Sequence, residues 1–269
     1  MPVSVDKDAP RKQYTTAIIK GGALLAETRL LLREWRPLDT AGSFASRIQA
    51  EGVLGNATAW RTRDIVRRVF VPRFLKPTDR PARILKHIMS SRLPSYVFNE
   101  LLFVFIARKD SLLYDFTVER YWPLARAGMD ILSTQTVKDF LMEAFSDGRI
   151  SHQWSESVVR RVTNGILGLL RDVGLLRGTK KGVREITNYR LSEEGAAILA
   201  RDLHEIGVLD SSLCSHSDWK LFGLEPGDVL DRLEVLGEHR GFLVQRAGSL
   251  VHFTWFVNSM EELIDVLAG

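Results

Sequence analysis

The stretch from Ser155 to Leu191 constrains the fold of this chain more than any other. Val158, Val159, Val162, Ile166, Leu169 and Leu170 recur at separations of three and four, so they share one face of a helix reaching about Asp172. Ser155 stands where an N-cap is expected, and Gly174 where a helix is terminated. Leu175-Leu176-Arg177 then reads as a short strand, Gly178-Thr179-Lys180-Lys181-Gly182 as a flexible turn and Glu185 to Leu191 as a returning strand. Helix, strand, basic turn, strand is the order of a winged helix. A helix over 134–145 would support it.

Around that block the pattern is helical. Tyr14 to Glu34 carries Leu24, Leu25, Leu31 and Leu32 at helical spacing, and Gly21-Gly22 either precede the main helix or let another helix approach closely. Ser43 is placed to cap a short helix ending at Ala50, and Thr58 to Leu75 is a second helix, interrupted by Pro72. Helices follow over Ala82 to Ser90, Ser95 to Arg108, Leu112 to Arg126 and Thr134 to Phe145. Beyond the winged block, a helix runs to about Glu205, Leu209–Ser217 reads as a polar linker, and Pro226 to Leu236 is helical. Gly241 to Gln245 and Leu250 to Phe256 flank Ala247-Gly248-Ser249 as a hairpin, and Ser259 caps a last helix. The expected fold class is mainly α. It comprises a flexible leader (1–13), a helical N-terminal domain (14–130), a central winged-helix domain (131–207) and a small α/β unit with a β-hairpin (218–269).

Charge is distributed unevenly along this frame. The formal net charge is +4, yet residues 1–95 hold 18 Lys/Arg against 8 Asp/Glu, and residues 151–191 hold 8 against 3. Residues 96–150 hold 6 against 8, and residues 192–269 hold 5 against 14. Two basic blocks point to a polyanion partner, because clustered cations gain by releasing counterions from phosphate. The alternatives are an uneven solvated surface or an acidic unit docked on a basic one.

The exposed face of the 155–172 helix carries Ser155, Ser157, Arg160, Arg161, Thr163, Asn164 and Arg171. Arg and Asn are the types that pair with guanine and adenine edges. Arg177, Lys180, Lys181 and Arg184 lie in or beside the turn and suit phosphate. A second basic set is Arg61, Arg63, Arg67, Arg68 and Arg73, with Lys76, Arg80 and Arg83 beyond it. The interleaved Trp60, Phe70 and Phe74 are read as core first, with base stacking as the alternative. A winged helix also serves in other proteins as a protein-docking module.

Enzyme signatures are not found. The sequence has no Walker lysine loop, no Gly-x-Gly-x-x-Gly after a strand, no His-Glu-x-x-His and no Cys-x-x-Cys. Its single cysteine rules out an internal disulfide, and Cys214-Ser215-His216 lies in a polar linker, a poor frame for a thiolate. Asp228, Asp231, Glu234 and Glu238 fall on one helix face, which reads as solvated. No apolar run approaches the roughly 18 to 20 residues of a membrane span. The expectation is therefore a cytoplasmic, non-enzymatic protein with no cofactor, no metal, no membrane and no small-molecule substrate.

Tyr14-Thr15-Thr16, the run from Lys20-Gly21-Gly22 to Thr28-Arg29, Gly52-Val53-Leu54-Gly55 and Thr58-Ala59-Trp60-Arg61 together resemble the BrxA family of bacteriophage-exclusion (BREX) islands. The resemblance covers most of the chain and is strongest over residues 14–75. It implies a mostly helical, non-enzymatic, DNA-binding accessory of an anti-phage system that tells host from phage DNA by adenine methylation. Double-stranded DNA and other BREX proteins are then the expected partners, with backbone contacts and low sequence preference. Family members are sometimes labelled inner-membrane, for which this sequence offers no span. A protein-interaction scaffold and an RNA binder are the rival readings.

Overall fold

The structure is a computed structural model that describes residues 13–22, 24–178, 184–237, 240–248 and 250–269. Its centre is helix α5 (Ser95–Ala107), in which Val97, Phe98 and every residue from Glu100 to Ala107 are buried. A helix apolar on all sides must be surrounded, and α4 (Arg80–Ser90), α6 (Ser111–Phe116) and α10 (Glu193–Glu205) pack around it. Each buried leucine or phenylalanine there contributes on the order of 1.5–3 kcal/mol.

In the N-terminal part Gly21-Gly22 precede the main helix and also let another helix approach. A 3-10 turn (Ala17–Lys20) stops at Gly21-Gly22, and α1 (Leu25–Glu34) starts afresh. The two glycines serve close approach. A Cβ on Gly22 would meet the Gly165 carbonyl at 3.6 Å, and one on Gly165 would meet Ile18 at 3.1 Å. Thr40, not Ser43, caps α2 (Ala41–Ala50). Its hydroxyl accepts from the Ser43 amide at 3.1 Å, and Ser43 reciprocates as a capping box. Helix α3 (Ala59–Ile65) continues without a break as a wider, π-helical stretch (Val66–Leu75), so Pro72 sits inside the helix and does not end it. The wider turns accommodate a residue that lacks an amide donor. The same widening joins α6 through Thr117–Tyr121 to α7 (Trp122–Arg126).

The central block has the expected order and one extra strand. β1 (Ile131–Leu132), α8 (Thr134–Ser146), α9 (Glu156–Asp172), β2 (Leu176–Arg177) and β3 (Arg184–Ile186) follow in sequence. The strands form an antiparallel sheet in the order β1-β3-β2, with Ile131 opposite Glu185 and Leu176 opposite Ile186. β3 is shorter than predicted because the chain after Thr187 turns away, and the Tyr189 hydroxyl donates to the Glu100 carboxylate on α5.

The predicted polar linker is partly helical, with α11 (Asp210–Leu213) and a 3-10 turn (Ser217–Phe222) that buries Trp219. α12 (Pro226–Gly237), the hairpin of β4 (Phe242–Ala247) and β5 (Leu250–Trp255), and α13 (Met260–Ala268) complete the chain as predicted. Ion pairs bind this acidic end to the rest. Asp202 on α10 accepts from Arg80 of α4 and forms an ion pair with Arg108 just past α5, both at 2.7 Å, and Arg108 also reaches Asp218 at 2.7 Å.

Candidate nucleic-acid interface

Helix α9 buries Val162, Ile166, Leu167, Leu169 and Leu170 against α8 and the sheet, which fixes which side chains remain outside. Arg160, Arg161 and Asn164 are exposed, and neither arginine forms an ion pair among the described residues. Arg171 is exposed at the far end but is paired with Asp172 at 2.8 Å. Thr163 is a correction to the predicted solvent face: it is 1% exposed and belongs to the packed side. Gly165 sits at the edge of the exposed face, against Ile18 of the 3-10 turn that ends in Lys20.

The turn between the strands contributes less that can be described. Lys180 and Lys181 lie outside the described residues. Arg184 starts β3 and is half-buried, and Arg177 is held at 2.6 Å by Glu185, its neighbour across the sheet.

The second basic set divides three ways. Arg73 is a correction: it is 7% exposed and donates to the backbone carbonyls of Gly21 and Gly22, each at 2.9 Å. Burial lowers its guanidinium pKa to about 10, while the nearby Asp110 carboxylate pulls it back up. It fastens the glycine pair that approaches α9. Arg61 and Arg68 surround the largely buried Asp64 at 3.8 and 3.4 Å, and Lys20 joins them at 3.7 Å. Arg63 and Arg67 are exposed and form no ion pair among the described residues. Lys20 escaped the sequence reading, because its partner Asp64 is remote in sequence. It bridges the two basic helices: its carboxylate partner is on α3 and its turn packs on α9.

Of the three aromatics read as core, Phe70 and Phe74 are buried, whereas Trp60 is 67% exposed. The other features examined for chemistry are occupied structurally. Burial, followed by Glu234 and Asp210, pushes the Cys214 thiol up to about 11, so it is no nucleophile at neutral pH. Among the described residues no three His, Cys, Asp or Glu side chains gather as metal ligands. Asp231 lies 3.9 Å from Arg246, and Asp228 accepts from the Glu225 amide; Glu238 lies outside the described residues. A cleft of about 870 Å³ beside α6 is lined by Arg108, Lys109, Tyr114, Arg149, Asp147 and Asp218. Its arginines are already bound to carboxylates, Arg149 to Asp147 and Glu119 at 2.8 Å and Arg108 to Asp202 and Asp218. No described helix is long and apolar enough to cross a membrane.

No curated protein matches the chain. A crystal structure of an uncharacterized protein from Magnetospirillum magneticum is similar with a TM-score of 0.58 and 19% identity, covering 73% of this chain and 95% of that one. That likeness shows a shared fold. The BrxA family model matches residues 12–202, the helical N-terminal part, the sheet-backed helix pair and most of α10. The chain therefore belongs to the BrxA family and is a BREX-associated protein.

Proposed function

We propose that this protein is a non-enzymatic, duplex-DNA-binding accessory of its BREX system, working in the cytoplasm beside other BREX proteins. The observation that carries the reading is α9, an exposed Arg160-Arg161-Asn164 face with no carboxylate partner among the described residues, set on a three-stranded sheet in winged-helix order. Such a helix offers charge to phosphates and a few side chains to base edges, which favours backbone contact with modest sequence preference. Arg63 and Arg67, with Lys20 between the helices, extend the cationic surface.

Duplex binding measured at rising salt, for the wild type and for Arg160→Ala/Arg161→Ala, tests this reading. An unchanged affinity and salt slope would remove α9 as the DNA site. A second reading, a scaffold that docks sister proteins, draws on one feature. Leu141, Phe145, Met142, Ile150 and Trp154 line an apolar groove of about 470 Å³ between α8 and the start of α9, with Met142 60% exposed. Co-purification with BREX partners, without duplex retardation at physiological salt, would favour the scaffold. Competition by RNA hairpins separates RNA from DNA.

A further inference from the structure

Trp60 stands in the first turn of α3, after Thr58, whose hydroxyl accepts the Arg61 amide at 3.2 Å and caps the helix. Residues 51–56 before it form turns, so the indole begins the helix with no preceding element packed over it. Arg63 follows one helical turn later and Arg67 two turns later, on the same side of the helix as Trp60. Both are exposed. Asp64, one turn from Trp60, is largely buried and paired with Lys20, Arg61 and Arg68, so the exposed charges beside the indole are those of Arg63 and Arg67.

An exposed indole normally costs free energy in water, and burial was the expected place for it. Here it is joined to two exposed arginines that follow it four residues apart on the same helix, with the Arg67 guanidinium near Gly42 of α2. That combination, a flat π-face and a pair of cations with no ion pair among the described residues, matches an unpaired base with its flanking phosphates. A duplex presents its bases stacked and paired, so the indole face would find nothing to cover on an intact one. The one-sign charge of the stripe also suits a phosphodiester strand and gives an acidic-and-basic protein surface only half of its complement.

We infer that Trp60, Arg63 and Arg67 form a binding site for single-stranded nucleic acid, in which the indole stacks on an unpaired base and the two arginines hold adjacent phosphates. The inference deepens the proposed function and rests on its nucleic-acid partner, not on the α9 face. The site lies on α3, where Arg63 and Arg67 extend the α9 surface, so the chain would engage a duplex on α9 and a locally unpaired strand beside it.

The test uses the full chain, an oligothymidylate and an oligouridylate of about 12 nucleotides, within the range of single-strand site sizes, and a blunt duplex. Trp60→Ala is expected to weaken oligothymidylate binding at least about fivefold, the loss of one stacked base. It should leave the duplex affinity and the thermal midpoint unchanged, because the side chain is exposed. Trp60→Phe keeps a π-face and should retain most of the affinity. Arg63→Ala/Arg67→Ala should lower the salt slope on the single strand by roughly 1.4, from two phosphates at about 0.7 each. A preference for oligothymidylate identifies the strand as DNA, and a preference for oligouridylate as RNA; both carry the proposed chemistry. The inference is overturned if the wild type binds neither oligonucleotide, if Trp60→Ala binds them as the wild type does, or if it loses duplex and single strand equally. Loss of duplex binding in Arg160→Ala/Arg161→Ala with intact oligonucleotide binding supports both sites. If that variant keeps its duplex affinity while Trp60→Ala loses the single strand, the α9 reading falls and this one stands.

Discussion

The two basic helices, residues 59–75 and α9, look alike as sequence and use their arginines in opposite ways. In the first, Arg73 is buried on glycine carbonyls, and Arg61 and Arg68 are neutralised by a largely buried aspartate, leaving Arg63 and Arg67 exposed. In α9, Arg160 and Arg161 face solvent without a described counter-charge, and Arg171, paired with Asp172, ends the helix. A run of arginines therefore states how much charge is present and says nothing of how much is available. Availability is set by whether a carboxylate or a cluster of carbonyls lies within reach, and such partners are often far away in sequence.

The sharpest way to break this contrast is Arg73→Met. If Arg73 is structural, the variant loses about 3 kcal/mol of stability, since two buried carbonyls lose their donor and Asp110 loses a compensating charge. Chemical unfolding measures this, and the folded fraction should bind duplex as the wild type does. A stable variant with impaired binding would return Arg73 to the interface. Next in size, Arg160→Ala/Arg161→Ala should weaken duplex binding about tenfold and lower the salt slope by about 2, with the unfolding midpoint unmoved.

A smaller signature is in pH. Burial raises the Asp110 carboxyl above its ordinary range, while the Leu113 amide and Arg73 hold it down. A raised folded-state pKa means that stability is present below the usual carboxylate range and is lost as pH rises through the folded value. Removing Arg73 pushes the carboxyl further up. The destabilisation of Arg73→Met should thus be greater at neutral pH than near pH 4, by about 1 kcal/mol. A pH-independent difference would show that Asp110 does not sense Arg73. Smallest of all, Asp64→Asn should release Arg61, Arg68 and Lys20 and tighten low-salt duplex binding about twofold. Weaker binding would show that Asp64 orients those cations for use.

The helices were legible because each announces itself over many residues. The periodicity of Val162, Ile166 and Leu169 and the cap at Ser259 are local facts, and the structure keeps them. The breaks were less legible. Pro72 was read as an interruption, yet the backbone widens around it, because Val69, Phe70 and Phe74 are buried and hold the helix together. β1 is two residues long and exists through its pairing with β3, more than fifty positions onward, which no local pattern encodes. The site divided along the same line. Exposure of Arg160 and Arg161 followed from the α9 stripe, whereas the burial of Arg73 depended on Gly21 and Gly22, and the part played by Lys20 depended on Asp64. Trp60 was misjudged because residue type favours burial, and only the helix start it occupies leaves it uncovered.

The ion pairs on Asp202 bear on how this protein is divided. The family match ends at residue 202, inside α10, whose buried face continues to Leu203. Arg108 reaches Asp202 on one side of that point and Asp218 on the other, and Arg80 reaches Asp202 and Glu205. The boundary is thus a line in sequence and not a joint in space. A cut there would leave both half-buried guanidiniums on Asp202 alone, without Glu205 and Asp218, so the acidic end is held to the rest by shared ion pairs.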